Sequence, residues 1–136
     1  MAEWNEPKTD WTSQDAFDYI QFNRVMGNVA FLKAFSDTLF GYMENLPSVE
    51  EKSNISLIYA REMNVIEDGL DKINANTYKF DIGDKKTYKP NGRVPDYQEY
   101  NRIESACKRL YDAMMVLQDN LVRLDFRLGN QKGIRV

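Results

Sequence analysis

The sequence contains no histidine, so the commonest general base and the commonest zinc ligand are both missing. Its single cysteine, Cys107, excludes an intrachain disulfide and any site built from several thiolates. No apolar run approaches the ~18 residues of a membrane span. The opening residues, MAEWNEPKTDW, have neither the basic n-region nor the apolar h-region of a secretory signal. No serine sits in a glycine-flanked elbow, and neither GxGxxG nor GxxxxGK[ST] occurs. The stretch DIGDKK at 81–86 has the aspartates of a calcium loop, but not its ligand spacing or closing glutamate. Carboxylate pairs such as Glu50-Glu51 and Glu67-Asp68 fall on polar helix faces, where solvation is their usual role. The expectation is a chain that is not an enzyme and holds no cofactor or metal.

Charge is present but uneven. The net charge is −3 and the pI about 5.0. Residues 1–46 carry −4, residues 47–80 carry −2 and residues 81–136 carry +3. An acidic front and a basic back favour head-to-tail contacts between copies, although ordinary surface variation gives the same tally. Lys85, Lys86, Lys89 and Arg93, with Tyr88 and Tyr97 nearby, are the one mixture of base and aromatic. That footprint is small for nucleic acid and reads as a solvated loop. Neither nucleic acid nor membrane is expected as a partner.

Three apolar stripes step by three and four. The first runs Phe22, Val25, Val29, Leu32, Ser36, Leu39, Met43 and Leu46, interrupted only by Ser36, where Phe35 can fill the gap. With Thr12 or Asp18 as N-cap, it predicts a helix over 19–45. Ser48 and Glu51 form a capping box ahead of Ile55, Tyr59, Met63, Ile66, Leu70 and Ile73, which predicts a helix over 49–75. The third stripe, from Tyr100 through Ile103, Cys107, Leu110, Met114, Leu117, Leu121 and Leu124 to Leu128, predicts a helix over 96–126, with Gly129 and Gly133 marking its end. Between the last two helices lies a connection at 76–94, in which Tyr78, Phe80 and Ile82 alternate like a short strand or hairpin. The fold class is all-α: a single domain of three long amphipathic helices in a bundle, behind an extended N-terminal arm. The economical arrangement is antiparallel. The alternative is a last helix that joins its counterparts from other subunits in a coiled coil. Cys107 lies on the seam and reads as core packing.

The chain also repeats itself. Asp18, Tyr19, Asn23, Arg24 and Leu32 recur as Asp96, Tyr97, Asn101, Arg102 and Leu110, and Lys8-Thr9 recurs as Lys86-Thr87, all at the same offset of 78. This is an internal duplication, with copies at 8–46 and 86–124 joined by the helix at 49–75 and the loop at 76–94. Each Lys-Thr segment is expected to fold back so that Asn bonds its backbone while Arg pairs with a carboxylate. The rival reading makes Asn23, Arg24, Asn101 and Arg102 contacts to another chain. Trp4 and Trp11 in the arm, and Lys132 and Arg135 in the tail, complete the candidate interaction residues.

The stretch KTYKPNGRVPDYQEYNRIE, with its earlier copy KTDWTSQDAFDYIQFNRVMGNVAFL, resembles a pattern in tail, baseplate and fibre-associated proteins of phages and prophages of Gram-positive bacteria. That pattern is Lys-Thr-aromatic, a turn, then a helix opening with Asn-Arg-Ile-Glu. The first copy departs from it, with Val25-Met26 in place of Ile-Glu. The resemblance implies a virion component: a structural or adaptor subunit of the tail apparatus, assembled in the bacterial cytoplasm. Its partners would be other tail proteins and copies of itself. The alternative is an intracellular helical binding module, such as a phage-encoded inhibitor of a host protein.

Overall fold

A computed structural model describes residues 3–47, 49–54, 57–92 and 95–135, with side chains as far as Leu124. The fold is all-α. It consists of α1 (Tyr19–Phe40), α2 (Ala60–Ala75) and α3 (Tyr97–Arg135), each packed on the other two. No strand occurs among the described residues. Each helix opens on a hydrogen bond between its N-cap residue and the residue three further on. The Asp18 carboxylate accepts from the Gln21 N–H, the Glu62 carboxylate from the Tyr59 N–H, and Asp96 and Glu99 bond each other's N–H groups. These contacts satisfy N–H groups that a helix start leaves bare.

The helices run parallel, which corrects the antiparallel expectation. Arg24 of α1 meets Glu104 of α3, and further along both helices Phe31 and Phe35 meet Tyr111. Likewise Glu67 of α2 meets Arg102, and Tyr78, just past α2, donates its hydroxyl to the Ala113 carbonyl. Parallel neighbours need long returns. The 22 residues of α1 span roughly 33 Å at 1.5 Å per residue, and extended chain covers that distance in about ten residues. The segments between the helices, 41–59 and 76–96, are long enough to make those returns.

The need for returns explains the boundaries that differ from expectation. α1 stops at Phe40, where Gly41 turns the chain with φ 93°. Residues 49–54 are not helical, and α2 begins only at Ala60. Asn23 holds the backbone of Lys52, and the Lys52 ammonium lies 2.5 Å from the largely buried Glu62. These two tertiary contacts override the local periodicity. The expected Ser48 cap lies outside the described residues. The expected hairpin is absent: residues 79–89 form neither helix nor strand, the chain turns at Lys79 (φ 57°) and Gly83 (φ 83°), and Asn74 bonds both backbone groups of Phe80. α3 continues through Gly129 and Gly133 to Arg135, because glycine within a helix costs only about 1 kcal/mol relative to alanine and does not by itself stop it.

One core cluster takes in equivalent positions of the three helices: Val25, Ile66 and Ile103, then Val29, Leu70 and Cys107, then Leu32, Ile73 and Leu110, all buried. Burial pushes the Cys107 thiol well up, so it is a packing residue.

Candidate functional site

Among the described residues five asparagines each grip the backbone of a non-helical residue through both ends of the amide. Asn28 holds Asn5 and Asn74 holds Phe80, while Asn23, Asn64 and Asn101 hold equivalent places, one per helix. The Trp11 N–H donates to Asn101 Oδ1 at 2.7 Å, and Asn101 Nδ2 donates to the Trp11 carbonyl at 3.0 Å. Asn64 makes the same pair with Tyr88 at 2.7 and 2.8 Å, and Asn23 with Lys52 at 2.7 and 2.8 Å. The amide thus replaces one rung of a β-ladder, satisfying backbone groups that a buried segment cannot leave open. The order is cyclic. α1 grips the segment leading into α2, α2 grips the segment leading into α3, and α3 grips the arm leading into α1.

The duplication is therefore a triplication. Gln21-Phe22-Asn23, Glu62-Met63-Asn64 and Glu99-Tyr100-Asn101 occupy the same place in their helices. The gripped residues Trp11, Lys52 and Tyr88 precede those asparagines by 12, 12 and 13 positions. The expected fold-back is right in kind, but the partner differs: Asn101 binds the arm of the first copy.

Two buried carboxylates complete two of the clamps. Glu104 accepts from the Trp11 indole N–H, from the Lys8 N–H at 3.0 Å, and from Arg24. Glu67 accepts from the Tyr88 hydroxyl at 2.8 Å and from Arg102 at 2.5 Å. Burial, followed by the bond to Glu67, raises the Tyr88 hydroxyl far above the ordinary tyrosine value. In the third clamp, between α1 and α2, the positions of arginine and glutamate hold Val65 and Met26. The ion pair is replaced at both ends, which is nearly neutral where replacement at one end would be costly. The gripped residue changes with it. Lys52 stands where the others have an aromatic with a hydrogen to donate.

The candidate contact residues are thus engaged within the chain. Trp11 is 3% exposed, and Trp4 stacks on Tyr111 at 4.0 Å. Asn23, Arg24, Asn101 and Arg102 are the clamps themselves. Lys132 and Arg135 fall where α3 is helical but side chains lie outside the described residues. Sequence reasoning missed Asn64 and Glu104, and it read Glu67 as a solvated carboxylate, whereas Glu67 is buried between Tyr88 and Arg102. The signal was Asn-Val-Ile-Glu at 64–67 beside Asn-Arg-Ile-Glu at 101–104.

Three surface features remain. A cavity of about 620 Å³ lies at the N-terminal end of α2 and α3, lined by Phe17, Tyr59, Arg61, Tyr88, Lys89 and Tyr100 among others. Its described lining includes no carboxylate, thiol or aliphatic hydroxyl, and burial pushes the Tyr100 hydroxyl up to about 12. That set offers no general base near neutrality. A groove follows the outer face of α1 against Asn45, Leu46, Pro47, Val49 and Glu51, formed by adjoining cavities of about 240 and 320 Å³ that share Met26 and Ala30. The third feature is the length of α3. Beyond Leu117 every residue to Leu124 is exposed, with Leu121 at 40%, Val122 at 63% and Leu124 at 49%. Residues 118–135 continue as helix past the bundle for roughly 27 Å.

No helix is long and apolar enough to cross a membrane, and no group of three metal-ligating side chains occurs among the described residues. Comparison with family models, curated proteins and solved structures found no match.

Proposed function

We propose that this chain is a non-enzymatic structural or adaptor subunit of a phage or prophage tail apparatus. It acts through contacts with other tail proteins and with copies of itself. The observation that carries the reading is the α3 overhang, where Leu121, Val122 and Leu124 stand in solvent on a helix that has left its bundle. A lone helix of this length is marginal in water, and covering Leu121, Val122 and Leu124 with another protein surface would stabilise it. The Lys-Thr-aromatic and Asn-Arg-Ile-Glu elements that resemble phage tail proteins serve here as clamps. They support a shared repeat, while the overhang supports assembly.

The test is fractionation of a lysate in which the phage or prophage is producing particles. A tail subunit sediments with purified particles and stays bound through a density gradient. Recovery only as a free species in the soluble fraction contradicts the reading and favours the inhibitor alternative.

A further inference from the structure

The groove along α1 differs from its counterparts in the other two repeats. Beside α2, the returning segment is tied to the helix by Lys85 and Asp68 at 2.9 Å. Beside α3, the arm is tied by Lys108 and Glu6 at 3.3 Å. The corresponding pairs at α1 are Val49 with Gly27, and Pro47 with Ala30. Both surface ion pairs are replaced at both ends by apolar or small residues, and an open groove stands in their place. A Cβ built on Gly27 would meet nothing within 4 Å. Met26, Ala34 and Leu46 continue the apolar lining. The charged lining is Lys33, paired with Asp37 at 2.5 Å, and the exposed Glu51. Glu44 and Glu50 are exposed on the neighbouring segment 41–51, Glu44 at 3.9 Å from Lys72, so carboxylates outnumber ammonium groups on this side.

The overhang has the complementary character. Its described part presents Leu121, Val122 and Leu124. The sequence of 118–135 carries Arg123, Arg127, Lys132 and Arg135 against Asp119 and Asp125, a net charge of +2. Small residues on α1 let a second helix approach closely, and leucine and valine side chains fill the space above them. Opposite charges at the rim fix orientation and speed encounter. We propose that the α1 groove receives the α3 overhang of a second copy, so that copies join head to tail. Such a contact uses two different surfaces of each copy, and it repeats into a ring or a filament according to the rotation between neighbours. The proposal rests on the reading of the chain as a self-assembling subunit and names the surface that the overhang covers.

Mixing two defective full-length variants tests it. Leu121→Asp with Leu124→Asp spoils the overhang and leaves the groove intact. Ala30→Lys spoils the groove at an exposed helical position where lysine is nearly as good a helix former as alanine. Melting temperature and helical circular dichroism verify that both fold. In light scattering, wild type should exceed its 15.9 kDa monomer mass increasingly with concentration, and each variant alone should stay monomeric. An equimolar mixture should give a one-to-one dimer and nothing larger, because only one good overhang and one good groove remain per pair. Ala30→Lys assembling like wild type, with no rescue in the mixture, would overturn the groove while leaving self-assembly through the overhang standing. Wild type that stays monomeric at all concentrations would overturn both.

Discussion

Each clamp asparagine uses both ends of its amide, the oxygen accepting from the N–H and the nitrogen donating to the carbonyl of the same residue. Alanine removes both bonds at Asn101, and the Trp11 backbone then loses its partners in a part-buried place. The expected cost is about 1–3 kcal/mol, read from denaturant unfolding. Aspartate keeps the acceptor but has nothing to donate to the Trp11 carbonyl, so Asn101→Asp should be no milder than Asn101→Ala. Glu104→Ala should cost more, about 3–5 kcal/mol, because it strands a largely buried Arg24 along with the Trp11 indole. Tyr88 sets an alkaline limit. Its folded-state value is raised above the ordinary 10.0, so the folded chain holds that proton more tightly than the unfolded chain. The associated stability is present below about pH 10 and is lost as pH rises beyond it. Tyr88→Phe should flatten the alkaline fall in melting temperature. At this scale the sequence was partly legible. The Asn-Arg pairs announced hydrogen-bonded, ion-paired roles, but their partners depend on which helix lies beside which, and that depends on helix direction.

Among the elements, α3 was the most legible, because its stripe runs without interruption from Tyr100 to Leu128. The start of α2 was the least. Ile55, Tyr59 and Met63 keep helical spacing across a segment of which 49–54 and 57–59 are not helical. Spacing records which positions are apolar and says nothing of Asn23 reaching across from another helix to Lys52. The third repeat was hidden for a related reason. Its asparagine follows Asn23 by 41 residues and precedes Asn101 by 37, so no constant offset reveals it. Val65, Met63 and Tyr59 also replace the arginine, aromatic and aspartate that made the other two copies visible. If Asn23 is what holds the return segment down, the Lys52 amide should exchange slowly with solvent deuterium in the wild type and much faster in Asn23→Ala. Amides in the middle of α3 should keep their protection. Equal exchange at Lys52 in both proteins would mean that the segment is held by something else, such as the Lys52–Glu62 pair.

For the whole molecule, the three clamps close a ring of contacts that leaves two things over: a groove without its ion pairs on α1, and eighteen residues of α3 beyond Leu117. The bundle uses the apolar stripe of α3 up to Met114, which is fully buried, and has no use for Leu121 or Leu124. The expectation of three amphipathic helices in one bundle holds. Sequence periodicity alone, however, does not distinguish the part of a stripe that faces its own bundle from the part that faces a neighbour, because both are written with the same leucines. The most direct measurement compares the full chain with a chain ending at Leu117, by sedimentation equilibrium and thermal unfolding under the same conditions. If the overhang is an assembly element, the full chain self-associates, the shortened chain stays monomeric, and the dilute melting temperatures agree to within roughly 2–4 °C, the shift expected for at most about 1 kcal/mol. A shortened chain that associates as strongly as the full one, or that no longer folds, would contradict the account.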